Sequence, residues 1–129
     1  MLRWLILMLG GALGTLTRYG LSSWVSAQFG TGFPYGTLAV NLLGCWLIGL
    51  LAGLPSGTAS LAPTLRLFLV IGFLGGLTTF SAYALESFLL LRQGALLSGL
   101  LNLLGSMAAG LLALLIGFFT MKSLLVWRA

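Results

Sequence analysis

Nine polar side chains stand within otherwise apolar stretches: Arg18, Asn41, Thr78, Thr79, Ser81, Tyr83, Glu86, Asn102 and Ser106. Hydroxyls and amides dominate, so the set is suited to hydrogen bonding and ion coordination rather than to proton transfer or nucleophilic attack. There is no histidine and only one Asp/Glu, Glu86. The usual transition-metal ligand, the commonest general base and any carboxylate pair within one chain are therefore missing. The single cysteine, Cys45, lies between Gly44 and Trp46 with no partner for an intrachain disulfide, and is read as a small buried side chain. No residue is assigned a catalytic role.

Four of the nine fall within Gly72-Phe73-Leu74-Gly75-Gly76-Leu77-Thr78-Thr79-Phe80-Ser81-Ala82-Tyr83, where two adjacent glycines and several hydroxyls interrupt an apolar segment. In hydrocarbon an unpaired backbone group costs several kcal/mol, so a helix breaks there only if protein or a water-filled cavity takes up the freed groups. Carbonyls released at Gly75 to Thr78 would attract a cation. Phe80 and Tyr83, three apart, share a helix face. Their positive ring edges can favour a small anion, although packing against a neighbour is the plainer reading. The hydroxyls of Thr79, Ser81 and Ser106, with the amides of Asn41 and Asn102, can replace a hydration shell. Donors without strong local cations suit an anion that must also leave. These residue types coordinate both signs of ion, and the sign stays open at this point. Arg18 lies 15 residues after Arg3, about 22 Å at helical rise, which places it near the opposite interface or in an aqueous vestibule.

The elements holding these residues must cross a bilayer. The chain has 129 residues, 60% hydrophobic and 5% charged, the composition of a small integral membrane protein. A net charge of +5 spread singly forms no nucleic-acid patch and belongs at lipid headgroups. A bilayer core takes roughly 20 apolar residues per helix. Four pieces fit: Leu2 to about Gln28, Gly36 to about Leu54 after Pro34, Thr64 to about Arg92 with its break at Gly75 to Thr79 and its end at Gly94, and Ala95 to about Val126, as one domain over 1–129. The polar stretch 55–63 separates two helical hairpins. Met1-Leu2-Arg3 and the apolar run after it resemble a signal peptide but lack a small-x-small cleavage site, so this segment is read as a mature span. Small residues at packing spacing (Gly10 with Gly14, Gly49 with Gly53, Gly105 with Ala109, Ser106 with Gly110) let helices approach closely. Arg3, Arg66, Lys122 and Arg128 fall on one side and Arg18 and Arg92 on the other, a weak bias that fixes no orientation. Four short spans enclose little volume, so a transport path calls for a second copy.

Three segments together carry a family resemblance: Gly11-Ala12-Leu13-Gly14-Thr15-Leu16-Thr17-Arg18-Tyr19, Gly36-Thr37-Leu38-Ala39-Val40-Asn41-Leu42-Leu43-Gly44, and Gly72 through Ser81. In order, spacing and total length the chain resembles the Fluc (CrcB-type) fluoride channels over essentially its whole extent. The resemblance implies an all-α integral membrane fold with four transmembrane helices, the third broken near its middle, in an antiparallel dual-topology homodimer. It implies passive fluoride export across a bacterial or archaeal plasma (inner) membrane through two pores, with a structural sodium ion (Na+) at the dimer centre. By the same resemblance Gly75 and Thr78 offer carbonyls to the sodium. Asn41, Phe80 and Ser106 match path residues, with Asn102 one turn earlier at a polar position facing the path. Arg18 matches a vestibule arginine and Glu86 the acidic residue after the break. Tyr83 departs from the family's second phenylalanine, which leaves the edge-on ring there open and makes pairing with a non-identical subunit conceivable. The alternative is a small multidrug-type proton-coupled cation transporter, whose deep carboxylate could only be Glu86, near the end of the third span. A structural subunit without transport would explain the glycines but not the hydroxyl-lined break.

Overall fold

The computed structural model describes residues 1–127; Arg128, counted above with the charges at one end, lies outside them. Among the described residues the structure is helical, with no strand. We label the elements α1 (Leu2–Phe29), α2 (Tyr35–Ala52), α3 (63–77), α4 (Phe80–Arg92) and α5 (Leu96–Val126). Pro34 immediately precedes α2 and Pro63 opens α3, positions where a missing N–H and a fixed φ favour helix initiation. Gly94, at φ 80°, follows α4 and lets the Ala95 N–H return to the Leu90 carbonyl at 3.0 Å, so the chain reverses into α5.

Three runs are long and apolar enough to cross a membrane: Tyr35–Ala52, Pro63–Arg92 and Leu96–Val126. The chain is a multi-pass membrane protein. At 28 residues α1 is also long, about 42 Å, but Arg18, Ser22, Ser23, Ser26 and Gln28 dilute its apolar content.

Two close helix contacts build the frame, and both depend on absent side chains. α1 lies against α3, where a Cβ on Gly14 would run into the Phe73 carbonyl and one on Gly76 would come within 2.6 Å of the Gly11 carbonyl. α2 lies against α5, with Gly49 against the Leu114 carbonyl and Gly117 against the Trp46 carbonyl. In lipid such backbone approach supplies the association that water-driven burial supplies elsewhere. Gly105 faces open space and joins no helices of this chain, whereas a Cβ on Gly110 would lie 3.4 Å from Cys45 Sγ, an ordinary contact of α5 with α2. Two segments, Leu67–Leu74 in α3 and Leu101–Gly105 in α5, wind as π-helix. Such wide turns often mark functional positions.

Gly14→Ala should lower stability by about 1–3 kcal/mol through overpacking, whereas Gly11→Ala, whose Cβ would meet nothing within 4 Å, should be neutral. Thermal unfolding of the two purified variants in detergent checks the contrast.

Candidate functional site

Leu77 ends α3, and the next two residues are extended: Thr78 at φ −87°, ψ 156° and Thr79 at φ −147°, ψ 119°. Helix resumes at Phe80. The interruption is narrower than Gly75 to Thr79, because Gly75 and Gly76 remain helical. Gly76 is needed for contact with α1, and the backbone opens only where hydroxyl-bearing residues begin.

Asn41, on α2, holds the opening. Its Nδ2 donates to the Thr79 carbonyl at 3.1 Å, and its Oδ1 accepts the Thr79 N–H at 2.8 Å. One amide thus replaces both backbone partners that Thr79 loses by leaving the helix. Thr79 Oγ1 in turn accepts the Ala82 N–H at 3.2 Å, an N-cap that starts α4. In an uninterrupted helix the Thr79 N–H would go to the Gly75 carbonyl and the Ala82 N–H to the Thr78 carbonyl. Both donors are diverted, so these two carbonyls are released. Hard oxygen donors of this kind suit an alkali or alkaline-earth cation. No cluster of His, Cys, Asp or Glu able to hold a metal occurs among the described residues.

The break opens on a groove of ≈ 600 Å³ whose lining includes Asn41, Gly75, Thr78, Thr79, Phe80, Tyr83 and Ser106. The groove is predominantly apolar between these groups, with Ile48, Val70, Leu74, Met107 and Leu111 on its walls. Phe80 is 78% exposed there, a large ring left uncovered at the middle of a spanning segment. Its centroid lies 5.6 Å from that of Tyr83 with the planes tilted by 43°. Tyr83 is buried, and its hydroxyl donates to the Leu103 carbonyl at 2.6 Å, inside the π-wound part of α5. That bond ties the ring on α4 to the backbone of α5.

The other expected positions separate. Asn102 does not line the groove. It is buried behind Ser106, which donates to Asn102 Oδ1 at 3.0 Å, while Asn102 Nδ2 donates to Ser87 Oγ at 2.8 Å. Ser81 is exposed and within 3.4 Å of Thr79 Oγ1. Arg18 is half-buried on α1 and absent from the groove lining.

A family model described as "CrcB-like protein, Camphor Resistance (CrcB)" matches residues 5–118. The chain belongs to this family. It is 53% identical over 114 residues to a protein of Citrifermentans bemidjiense, covering 88% of this chain and 92% of the relative. A Sorangium cellulosum protein is 43% identical over 123 residues, 95% and 97% of the two chains. One from Thermus thermophilus is 48% identical over 116 residues, 90% and 91%. All three relatives bear the name fluoride-specific ion channel FluC.

Within this CrcB-like chain, sequence reasoning passed over two polar partners. Thr37 Oγ1 donates to Glu86 Oε1 at 2.7 Å, tying α2 to α4 one helical turn before Asn41, while Glu86 Oε2 is buried with no partner among the described residues. Ser87 is almost wholly buried and joins Tyr83 to Asn102. The available signal for Ser87 was its spacing of four from Tyr83, which puts the two on one helix face. Tyr83→Phe should remove one buried hydrogen bond, worth about 1 kcal/mol, and leave the ring in place. A lower unfolding midpoint with an unchanged fold checks this; an unchanged midpoint would mean the Leu103 contact contributes nothing.

Proposed function

We propose that this chain forms a passive fluoride channel in a bacterial or archaeal plasma membrane, with α1 as a fourth span. The observation that carries the reading is the break held by Asn41, which puts two helix ends of opposite polarity side by side. α4 begins at the groove, and a helix start carries partial positive charge on unpaired N–H groups. Phe80 stands at that start, and Asn41 retains a second amide N–H. These groups, with the hydroxyls of Thr79, Ser81 and Ser106, give an anion weak donors in succession, which favours entry without a trap. The names borne by the relatives support fluoride as that anion.

The released carbonyls of Gly75 and Thr78 face the opposite task. Two per chain are too few for an alkali cation. Two copies would supply four, and a structural sodium ion between copies fits that donor set. An antiparallel homodimer would also cover Phe80 and close the groove into a path on each side of a shared interface. The Tyr83 hydroxyl is satisfied within its own chain, so it creates no need for a different partner subunit. Arg18 would stand in the vestibule on the α1 side. In this arrangement the ion moves down its gradient and the protein catalyses no chemical step.

Fluoride efflux from vesicles containing the purified protein, followed with a fluoride electrode, tests the reading. Efflux well above protein-free vesicles is expected, with no matching chloride efflux. Asn41→Asp should reduce fluoride flux to the protein-free level. A negative charge about 4 Å from the ion raises its energy by about 4 kcal/mol at an effective dielectric of 20, roughly a thousandfold in rate. Wild-type fluoride flux no faster than empty vesicles, with the fold intact, would contradict the proposal.

A further inference from the structure

Ser106 lines the groove, yet its proton is already committed to Asn102 Oδ1. The far end of the chain of bonds dictates this direction. Ser87 Oγ gives its only proton to the Tyr83 carbonyl at 2.8 Å, so toward Asn102 it can only accept. The Asn102 NH₂ must therefore face Ser87, and its carbonyl oxygen must face Ser106. An amide oxygen accepts and never donates, so Ser106 is the donor. Asn102 is 2% exposed, so its amide is shielded from the groove and reached only through Ser106. With this orientation Ser106 turns lone pairs toward the groove, the wrong polarity for an anion.

Taking the groove as the fluoride path, we propose that Asn102 is a positioning residue that competes with the passing anion for the Ser106 proton. Fluoride gains this donor only by displacing the Asn102 oxygen, and it is released when the Ser106 to Asn102 bond re-forms. One hydrogen bond is exchanged for another, so the site binds more weakly than a free hydroxyl would. Weak binding keeps the ion moving. The chain Tyr83, Ser87, Asn102 and Ser106 runs from α4 to α5, and Ser87 fixes the amide's orientation at its buried end.

The dependence of fluoride efflux rate on fluoride concentration, measured in vesicles, separates this role from a structural one. Asn102→Leu keeps the volume and removes the competing oxygen. Half-saturation should then fall to about one fifth of the wild-type concentration, the factor corresponding to one ordinary hydrogen bond, and the maximal rate should fall with it. Ser106→Ala should raise half-saturation instead, and the double variant should match Ser106→Ala, because Asn102 acts only through Ser106. If Asn102→Leu does not fold, Ser87→Ala serves in its place: the amide is then free to turn, and half-saturation should again fall. A uniform loss of rate with unshifted half-saturation in Asn102→Leu or Ser87→Ala would overturn the proposal, as would additive effects in the double variant. A wild-type protein that conducts fluoride while these shifts are missing defeats only the role of Asn102. A wild-type protein that conducts none defeats the channel reading itself.

Discussion

Two hydrogen bonds between one side chain and one residue's backbone govern the site: Asn41 to the N–H and the C=O of Thr79. A helix interior leaves no backbone group unpaired, and a lipid environment offers nothing to replace a lost partner. Breaking α3 from α4 exposes several such groups. The amide of Asn41 presents a donor and an acceptor at the spacing of a peptide group, so it can take up both groups of Thr79 at once. The Thr79 hydroxyl then caps α4 through Ala82, and the direction of α4, the position of Phe80 and the opening of the groove follow from that start.

The helix contacts around the break make the clasp possible. α2 must stand at a fixed distance from Thr79, and the seating of Gly49 and Gly117 against carbonyls of the facing helix sets α2 against α5. The Thr78 methyl packs against Gly44 on α2, one turn beyond Asn41. A larger residue at Gly44 would push the extended residues Thr78 and Thr79 away from the amide. On the other side Gly14 and Gly76 hold α1 against α3, so the helix leading into the break cannot move to relieve it. A polar hinge is thus embedded in a close-packed frame, and packing fixes where the backbone can open.

Much of the fold was legible because its signals are local. Pro34 and Gly94 mark a helix start and an end by backbone chemistry alone, and the apolar runs are long. The interruption near Thr78 was legible from hydroxyls and glycines in an apolar segment. The job of each glycine was not, since Gly76 faces α1 and only the tertiary contact reveals it. Asn41 could be singled out as a polar group in a span, but whether its amide faces an ion or a peptide depends on where α3 stops. Asn102 was expected to face the path and is buried behind Ser106. The π-wound stretch Leu101–Gly105 changes the register that ordinary helical spacing assumes. The Tyr83 hydroxyl found a carbonyl 20 residues away in sequence, a distance at which no pattern in the chain predicts contact.

The clasp is most directly tested by amide hydrogen exchange at Thr79, read in detergent-solubilised wild-type protein and in Asn41→Ala. If Asn41 holds the break, the Thr79 amide is protected in the wild type and exchanges at least tenfold faster in the variant, while amides where α2 meets α5 keep their protection. Equal Thr79 exchange in the two proteins would contradict it, because the break would then be held by something other than Asn41.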